Sequence, residues 1–314
     1  MWPAGGRDDI RSFVDVEYAS QKYWPEPLVQ VNPNFQPGGT VESLCRAGHL
    51  DPQCAEIFRF GKTSSSAGHT LPLYKHQVEA ISLASAAESY VLTTGTGSGK
   101  SLAYFIPIID ACLKAKAVDK TPRTRAIVVY PMNALANSQL EELKKFLGAD
   151  PATRAVTFGR FTGQENTEER EAMKANPPDI LLTNFMMLEL LLTRQNAIDQ
   201  QVMANAKGLK FLVLDELHTY RGRQGADVAL LVRRVREALA ERLVCIGTSA
   251  TMATDGTEVE RNAKVAEVAS RLFGTKIPVT NIITETLRRT TPETETDQTV
   301  ASSLASAILA GVPG

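Results

Sequence analysis

Long apolar runs are missing from this sequence of 314 residues. None reaches the ~18 residues that a membrane-spanning helix needs, so no membrane partner is expected. The first residues, MWPAGGRDDIRSF, hold no apolar signal core, and export is not expected either. Cysteine is scarce. Cys45, Cys54, Cys112 and Cys245 are too few and too scattered for a disulfide framework. That fits a reducing, cytoplasmic setting. An excess of charge of one sign is also absent: 34 Lys and Arg stand against 35 Asp and Glu, for a formal net charge of -1. Bulk charge therefore does not point to nucleic acid, although a local basic groove would suffice to bind it. No internal repeat occurs, and TSSSAG (63–68) is the sole low-complexity tract. With 43 % apolar and 22 % charged residues, the rest is an ordinary globular composition.

The chain changes character near residue 70. Before it, stretches such as QVNPNFQPGGTVESL show little periodicity and read as an irregular, turn-rich arm. Residues 1–68 are therefore expected to form an N-terminal extension. Beyond it, short apolar runs alternate with amphipathic stretches. The runs are YVLTT (90–94), AIVVY (126–130), AVTF (155–158), ILLTN (180–184), FLVLD (211–215) and LVCIGTS (243–249). Nearly continuous hydrophobicity marks strands covered on both faces. Between them, Val228, Leu231, Val235 and Leu239 form a helical stripe that largely excludes Arg233, Arg234 and Arg236. The alternation predicts an α/β fold with a mostly parallel sheet and helices on both faces. Residues 69–275 would make this domain, with one more helix over 254–273. Residues 276–314 would be a tail or the start of a linker. Ligands on such folds sit at the carboxyl ends of strands.

Three of those strand ends carry chemistry. YVLTTGTGSGKS reads as strand, glycine-rich loop and helix start. Backbone N–H groups of Thr94, Gly95, Thr96, Gly97, Ser98 and Gly99 can cradle phosphate, helped by the helix dipole. Lys100 would reach the β- and γ-phosphates of ATP, and Ser101 would ligate Mg²⁺. The general phosphate-loop pattern asks for Gly at 94, and Thr stands there. FLVLDELH ends a strand with two acids. Asp215 suits the metal and Glu216 suits activation of the attacking water. IGTSATM follows the next strand, and its hydroxyls at Thr248, Ser249 and Thr251 could bond the acidic pair.

Together these stretches resemble the first motor domain of a superfamily 2 helicase of the DEAD/DEAH-box type, which is a RecA-like P-loop NTPase. That family writes its phosphate loop A-x-T-G-x-G-K-T, with a non-Gly residue where Thr94 stands. Asp215-Glu216-Leu217-His218 is a form of its D-E-x-H box, which adds His218 to the nucleotide site. Ser249-Ala250-Thr251 matches its coupling motif. The resemblance covers roughly residues 70–252 and implies further positions. Gln77, in LYKHQVEAI, takes the place of an adenine-reading glutamine. Phe60 stands where relatives often place an aromatic that stacks on adenine, although IFRF also reads as core. VVYPMNALANSQ resembles Y-P-T-x-A-L-A-x-Q, with Met132 and Asn133 departing from it. FTGQ and LLTNFMMLELLL match the next two motifs. The resemblance thus assigns Pro131, Asn133, Thr162, Gly163, Thr183 and Asn184 to the sugar-phosphate backbone of one nucleic-acid strand, with DNA favoured over RNA. Met186, Met187 and Leu188 read better as core.

DELHTYRGRQGADVALLVRRV narrows the likeness to large bacterial DEAH-type helicases of the mitomycin-repair and Lhr-like kind, with similar proteins in phage-defence clusters. Arg221 and Arg223 would then bind phosphate or a neighbouring domain, or simply be solvated. Cys45, His49 and Cys54 lack a fourth ligand and do not close a zinc site. No run resembling Q-x-x-G-R-x-G-R follows Met252. A second RecA-like domain, supplying arginines across the ATP site, is therefore an expected partner. Alone, this chain is expected to bind ATP-Mg²⁺, hydrolyse it poorly and not unwind a duplex. The alternative reading is a nucleotide-gated module that binds nucleic acid or protein within a larger complex.

Overall fold

The computed structural model describes residues 6–19, 34–62, 66–95, 97–148, 150, 154–220, 222–240, 242–250 and 257–288. The chain divides into two compact units, Met1–Asn34 and Phe35–Gly314. The first contains helix α1 (Gly6–Ala19), whose Phe13 and Val16 are exposed.

The second unit begins with β1 (Pro37–Thr40), α2 (Val41–Arg46), α3 (Gln53–Ile57), β2 (Arg59–Phe60), β3 (His69–Thr70) and β4 (Pro72–Tyr74). β1 pairs with β4 and β2 with β3, both antiparallel. Then come α4 (Lys75–Ser85), β5 (Tyr90–Thr93), α5 (Lys100–Val118), β6 (Ala126–Tyr130), α6 (Asn133–Leu147) and β7 (Phe158–Phe161). They are followed by α7 (Thr167–Ala175), β8 (Ile180–Asn184), α8 (Phe185–Thr193), α9 (Ala197–Ala204) and β9 (Phe211–Leu214). The last elements are α10 (Gly222–Leu239), β10 (Val244–Ser249), α11 (Glu258–Phe273) and β11 (Ile282–Thr284).

Among the described residues, seven strands form one sheet in the order β11-β5-β10-β9-β6-β8-β7, every neighbouring pair parallel. Strand residues alternate between two cores, as the period of two requires. Leu92, Val128, Leu182, Val213 and Ile246 face α4, α5 and α6. Val91, Val129, Leu181, Leu212 and Cys245 face α8, α9, α10 and α11. The stripe Val228, Leu231, Val235 and Leu239 is buried, as its spacing predicts.

Three boundaries differ from the sequence reading. The arm expected to end at residue 68 joins the core much earlier. Val41, Leu50, Cys54 and Phe58 pack into the same cluster as α4 and α5. Asp51 N donates to Asp110 Oδ1 at 2.6 Å, and Lys62 Nζ donates to Phe146 O. Cys54 is thus a core residue, and Cys45 Sγ donates to Asp51 O. The strand expected at 155–158 lies at 158–161; just before it, Thr157 N donates to a side chain, Asp179 Oδ2, while Thr157 O accepts from Ile180 N. The tail contains β11, which extends the sheet beside β5. Ile282 and Ile283 give one buried residue to each core, a pattern too short to read in sequence.

Candidate functional site

All the motif loops lie at the carboxyl ends of the parallel strands. β5, β10 and β9 carry one half of that rim, and β6, β8 and β7 the other.

In the first half, the loop from β5 to α5 is held by side chains at its base. Thr94 is buried, and its hydroxyl shares a 2.6 Å hydrogen bond with Ser98 Oγ. A glycine at 94 would lack this tie across the loop. Ser98 Oγ also donates to Gly95 O. His76 Nε2 donates to Ser98 O at 2.9 Å, which fixes the tautomer and leaves Nδ1 buried with no hydrogen bond among the described residues. Burial lowers the His76 pKa, keeping the ring neutral. Gly97 and Gly99 have positive φ. Gly99 is also where space runs out: a Cβ there would lie 2.5 Å from Gln77 Nε2. Lys100, at the start of α5, donates from Nζ to Thr94 O at 3.1 Å. Burial raises the Tyr104 pKa, and the nearby Ser101 opposes that rise. Thr96 lies outside the described residues.

Gln77 is buried, and both ends of its amide are engaged. Nε2 donates to Gly99 O, and Oε1 accepts from Tyr74 N. The residue expected to read adenine therefore braces the phosphate loop here. Phe60 is exposed in β2 with its ring against His69. The aromatic rings beside Gln77 are Phe35, Tyr74 and His76, packed within 5.1–5.6 Å of one another. The sequence signal for this cluster is the tyrosine that precedes Lys-His-Gln, paired with a phenylalanine from the arm.

The acidic pair follows β9. Asp215 N donates to Val129 O, which continues the ladder. Glu216 then takes φ 55 and ψ 54, a left-handed conformation that costs a non-glycine residue roughly 1–2 kcal/mol. Strain of this kind persists where surrounding contacts over-determine it. Thr248, fully buried at the end of β10, supplies those contacts. Its hydroxyl donates to Asp215 Oδ1 and accepts from Glu216 N. Gly247 lets the acidic turn pack onto β10, since a Cβ there would sit 2.2 Å from Leu217 Cδ1. Burial raises the Asp215 pKa, opposed by the Thr248 bond and by Lys100, and reinforced by Glu216. Glu216 Oε2 lies 3.1 Å from His218 Nδ1 and has no hydrogen bond among the described residues. His218 Nδ1 is also 3.3 Å from Ser249 Oγ. Thr251 lies outside the described residues.

This donor set fits a magnesium nucleotide. Lys100 and the N-terminus of α5 offer positive charge to phosphate. Ser101 and Asp215 offer the hard oxygens that magnesium prefers. The Glu216 carboxylate beside them can accept a proton.

The second half is organised differently. Thr183 is fully buried, and its hydroxyl donates to Phe161 O at 2.6 Å. It braces β8 against β7 and cannot touch a nucleic-acid strand. Asn184 caps α8 by accepting from Met187 N. Its amide donates to Asn133 Oδ1 and Thr162 O, tying three loops together. The amides of Thr162 and Gly163, expected to face phosphate, both donate to Glu165 Oε2 at 2.8 Å. Arg160 donates to the same carboxylate, which these bonds stabilise in its charged form. Pro131 and Asn133 are half-buried at the start of α6. Met187 and Leu188 are core, as expected, whereas Met186 is exposed, as is Met132. Arg223 is exposed, and Arg221 lies outside the described residues.

A profile of DEAD/DEAH box helicases matches residues 74–259, more than half of the chain. The chain belongs to the DEAD/DEAH box helicase family. This helicase domain is 26 % identical to the Druantia protein DruE of Escherichia coli (strain UMEA 4076-1), over 86 % of this chain and 20 % of that protein. It is 32 % identical to the ATP-dependent helicase HRQ1 of Saccharomyces cerevisiae, over 52 % of this chain and 14 % of that one. A crystal structure of the DUF1998 helicase MrfA bound to DNA and AMPPNP superposes with TM-score 0.56 at 26 % identity. The match covers 84 % of this chain and 33 % of MrfA. The chain thus spans a third or less of these relatives. Its fold is RecA-like, and its motifs are those of a first motor domain. No helix among the described residues is long and apolar enough to cross a membrane.

Proposed function

We propose that this domain is the ATP-binding wall of a motor that moves along DNA in an ATP-dependent manner. The observation that carries this reading is the Thr248 bridge. One hydroxyl bonds the Asp215 carboxylate and the Glu216 backbone N–H, and Lys100 stands close enough to oppose the Asp215 pKa rise. Lys100 would bind the β- and γ-phosphates, and Ser101 with Asp215 would hold Mg²⁺. Bound Mg²⁺ would neutralise charge that develops on the phosphates. Glu216 would orient the attacking water and accept its proton. Ser249, beside His218, would pass the state of the site toward the strand-binding loops. A second RecA-like domain would supply arginines from across the cleft.

DNA is favoured over RNA because the MrfA structure contains DNA. A cytoplasmic setting suits the four free cysteines. The face formed by Pro131, Asn133, Thr162, Gly163 and Asn184 would follow the sugar-phosphate backbone. Its internal hydrogen bonds favour one further reading, a nucleotide-gated binding module that does not translocate.

One experiment separates the two. ATP hydrolysis by the full-length protein is measured with single-stranded DNA, single-stranded RNA and neither. Stimulation by DNA, abolished in Glu216→Gln with ATP binding kept, supports the motor. Hydrolysis that no nucleic acid stimulates, with ATP-dependent capture of a protein partner, supports the module.

A further inference from the structure

The phosphate loop is gripped by a residue from outside every family motif. Gly95 N donates to Glu285 Oε2 at 2.7 Å. Glu285 follows β11 directly, and β11 pairs in register with β5, Thr284 beside Thr93. Thr93 Oγ1 donates to Ile283 O, which locks that register next to the loop. The segment is anchored on its far side as well. Gln36 N donates to Thr286 O, Phe35 bridges to Leu287, and Lys75 N donates to Gln36 O. Lys75 opens the helix that carries His76 and Gln77. Among the described residues, side chains from outside the loop hold it at three backbone points: Gly95 N by Glu285, Ser98 O by His76, and Gly99 O by Gln77.

Two of the three holders are neutral. Glu285 brings a carboxylate to a loop whose task is to receive phosphate. It has two opposed effects. The hydrogen bond preorganises the start of the loop, which favours any ligand that uses it. The charge repels a polyphosphate bound nearby. We propose that Glu285 is a positioning residue of the phosphate loop that also sets its affinity for ATP. This rests on the nucleotide reading above. By linkage, the strength with which ATP binds depends on how firmly the segment 282–287 holds Glu285 in place.

The two effects can be pulled apart. Glu285→Gln keeps an oxygen that accepts from Gly95 N and removes the charge. Glu285→Ala removes both. Dissociation constants for a fluorescent ATP analogue with Mg²⁺ are measured for the parent chain, both variants and Lys100→Ala. Glu285→Gln is expected to bind about fivefold tighter than the parent, and Glu285→Ala about fivefold weaker than Glu285→Gln, the scale of one hydrogen bond. A merely structural glutamate would weaken binding in both variants. Equal affinities, or weakening in both, overturn the proposal. Should Glu285→Ala fail to fold, Glu285→Gln decides alone: tighter binding supports, unchanged or weaker binding overturns. Absence of ATP binding by the parent chain overturns the nucleotide reading and this inference together. Parent binding that Lys100→Ala abolishes and the Glu285 variants leave unchanged overturns this inference only.

Discussion

The two halves of the strand rim use the same residue types to opposite ends. On β5, β9 and β10, buried hydroxyls and amides hold backbone, and the charged groups are left facing one another. Thr94, Thr248 and Gln77 are spent on internal bonds, whereas Lys100, Asp215 and Glu216 keep charge at the strand ends, each with a neighbour: Thr94 O, Thr248 and His218. On β6, β7 and β8, the polar residues mostly satisfy each other. Asn184 bonds Asn133, Glu165 occupies two loop amides, and Thr183 is sealed inside. Reaction at one centre needs uncompensated charge in a fixed place. The backbone contact proposed for the second half needs loops in register, and a hydrogen-bonded scaffold provides that.

The sharpest way to break the comparison is to neutralise Glu216, the acid proposed to activate water. Glu216→Gln is expected to lower DNA-stimulated ATP turnover of the full-length protein by about 10²–10⁴-fold while leaving ATP binding in place. Loss of binding as well would mean that Glu216 shapes the site and does not act on water.

The next effect is on stability. Thr248→Val leaves Asp215 Oδ1 and Glu216 N without their shared partner, at a cost of about 1–3 kcal/mol. Thr183→Val removes one bond to a carbonyl, and about 1 kcal/mol is expected. Both are read from denaturant unfolding. Only the Thr248 change is expected to weaken ATP binding, which keeps the two halves distinct.

Asp215→Asn sets stability against function. The folded pKa of Asp215 is raised above its ordinary value, chiefly by burial. The native state therefore holds this proton more tightly than the unfolded chain does. Stability contributed by this group falls as pH rises through the window between the two values, and the penalty is complete above it. Without nucleotide or Mg²⁺ at neutral pH, Asp215→Asn is expected to raise the melting temperature while abolishing ATP turnover. A lower melting temperature would show that the charge is already compensated.

The smallest effect is expected at the exposed Arg223. Arg223→Ala is expected to change stability by less than about 0.5 kcal/mol. A loss of DNA affinity in the full-length protein would move this residue from solvated to phosphate-binding.

Much of the fold was legible because buried parallel strands are continuous apolar runs. AIVVY and ILLTN coincide with β6 and β8 residue for residue. The phosphate loop and the acidic box were legible because their chemistry needs residues adjacent in sequence. Contacts across the chain were not. The arm at 35–62 lacks sustained periodicity and β11 is only three residues long, so both reveal themselves by what they pack against. Gln77 was found, but its engagement with Gly99 was not, since the two are 22 positions apart.

The sequence alone determined which residues can do the chemistry. Glycine, lysine and serine in one loop, and two acids after one strand, are local requirements of phosphate and metal. The tertiary structure decided which polar groups remain free to act. It buried Thr183, closed the Thr162 and Gly163 amides with Glu165, and brought Glu285 to Gly95 from 190 positions away. A buried hydrogen-bonding group must find a partner wherever the fold offers one. That search runs through space, where sequence spacing gives no guide.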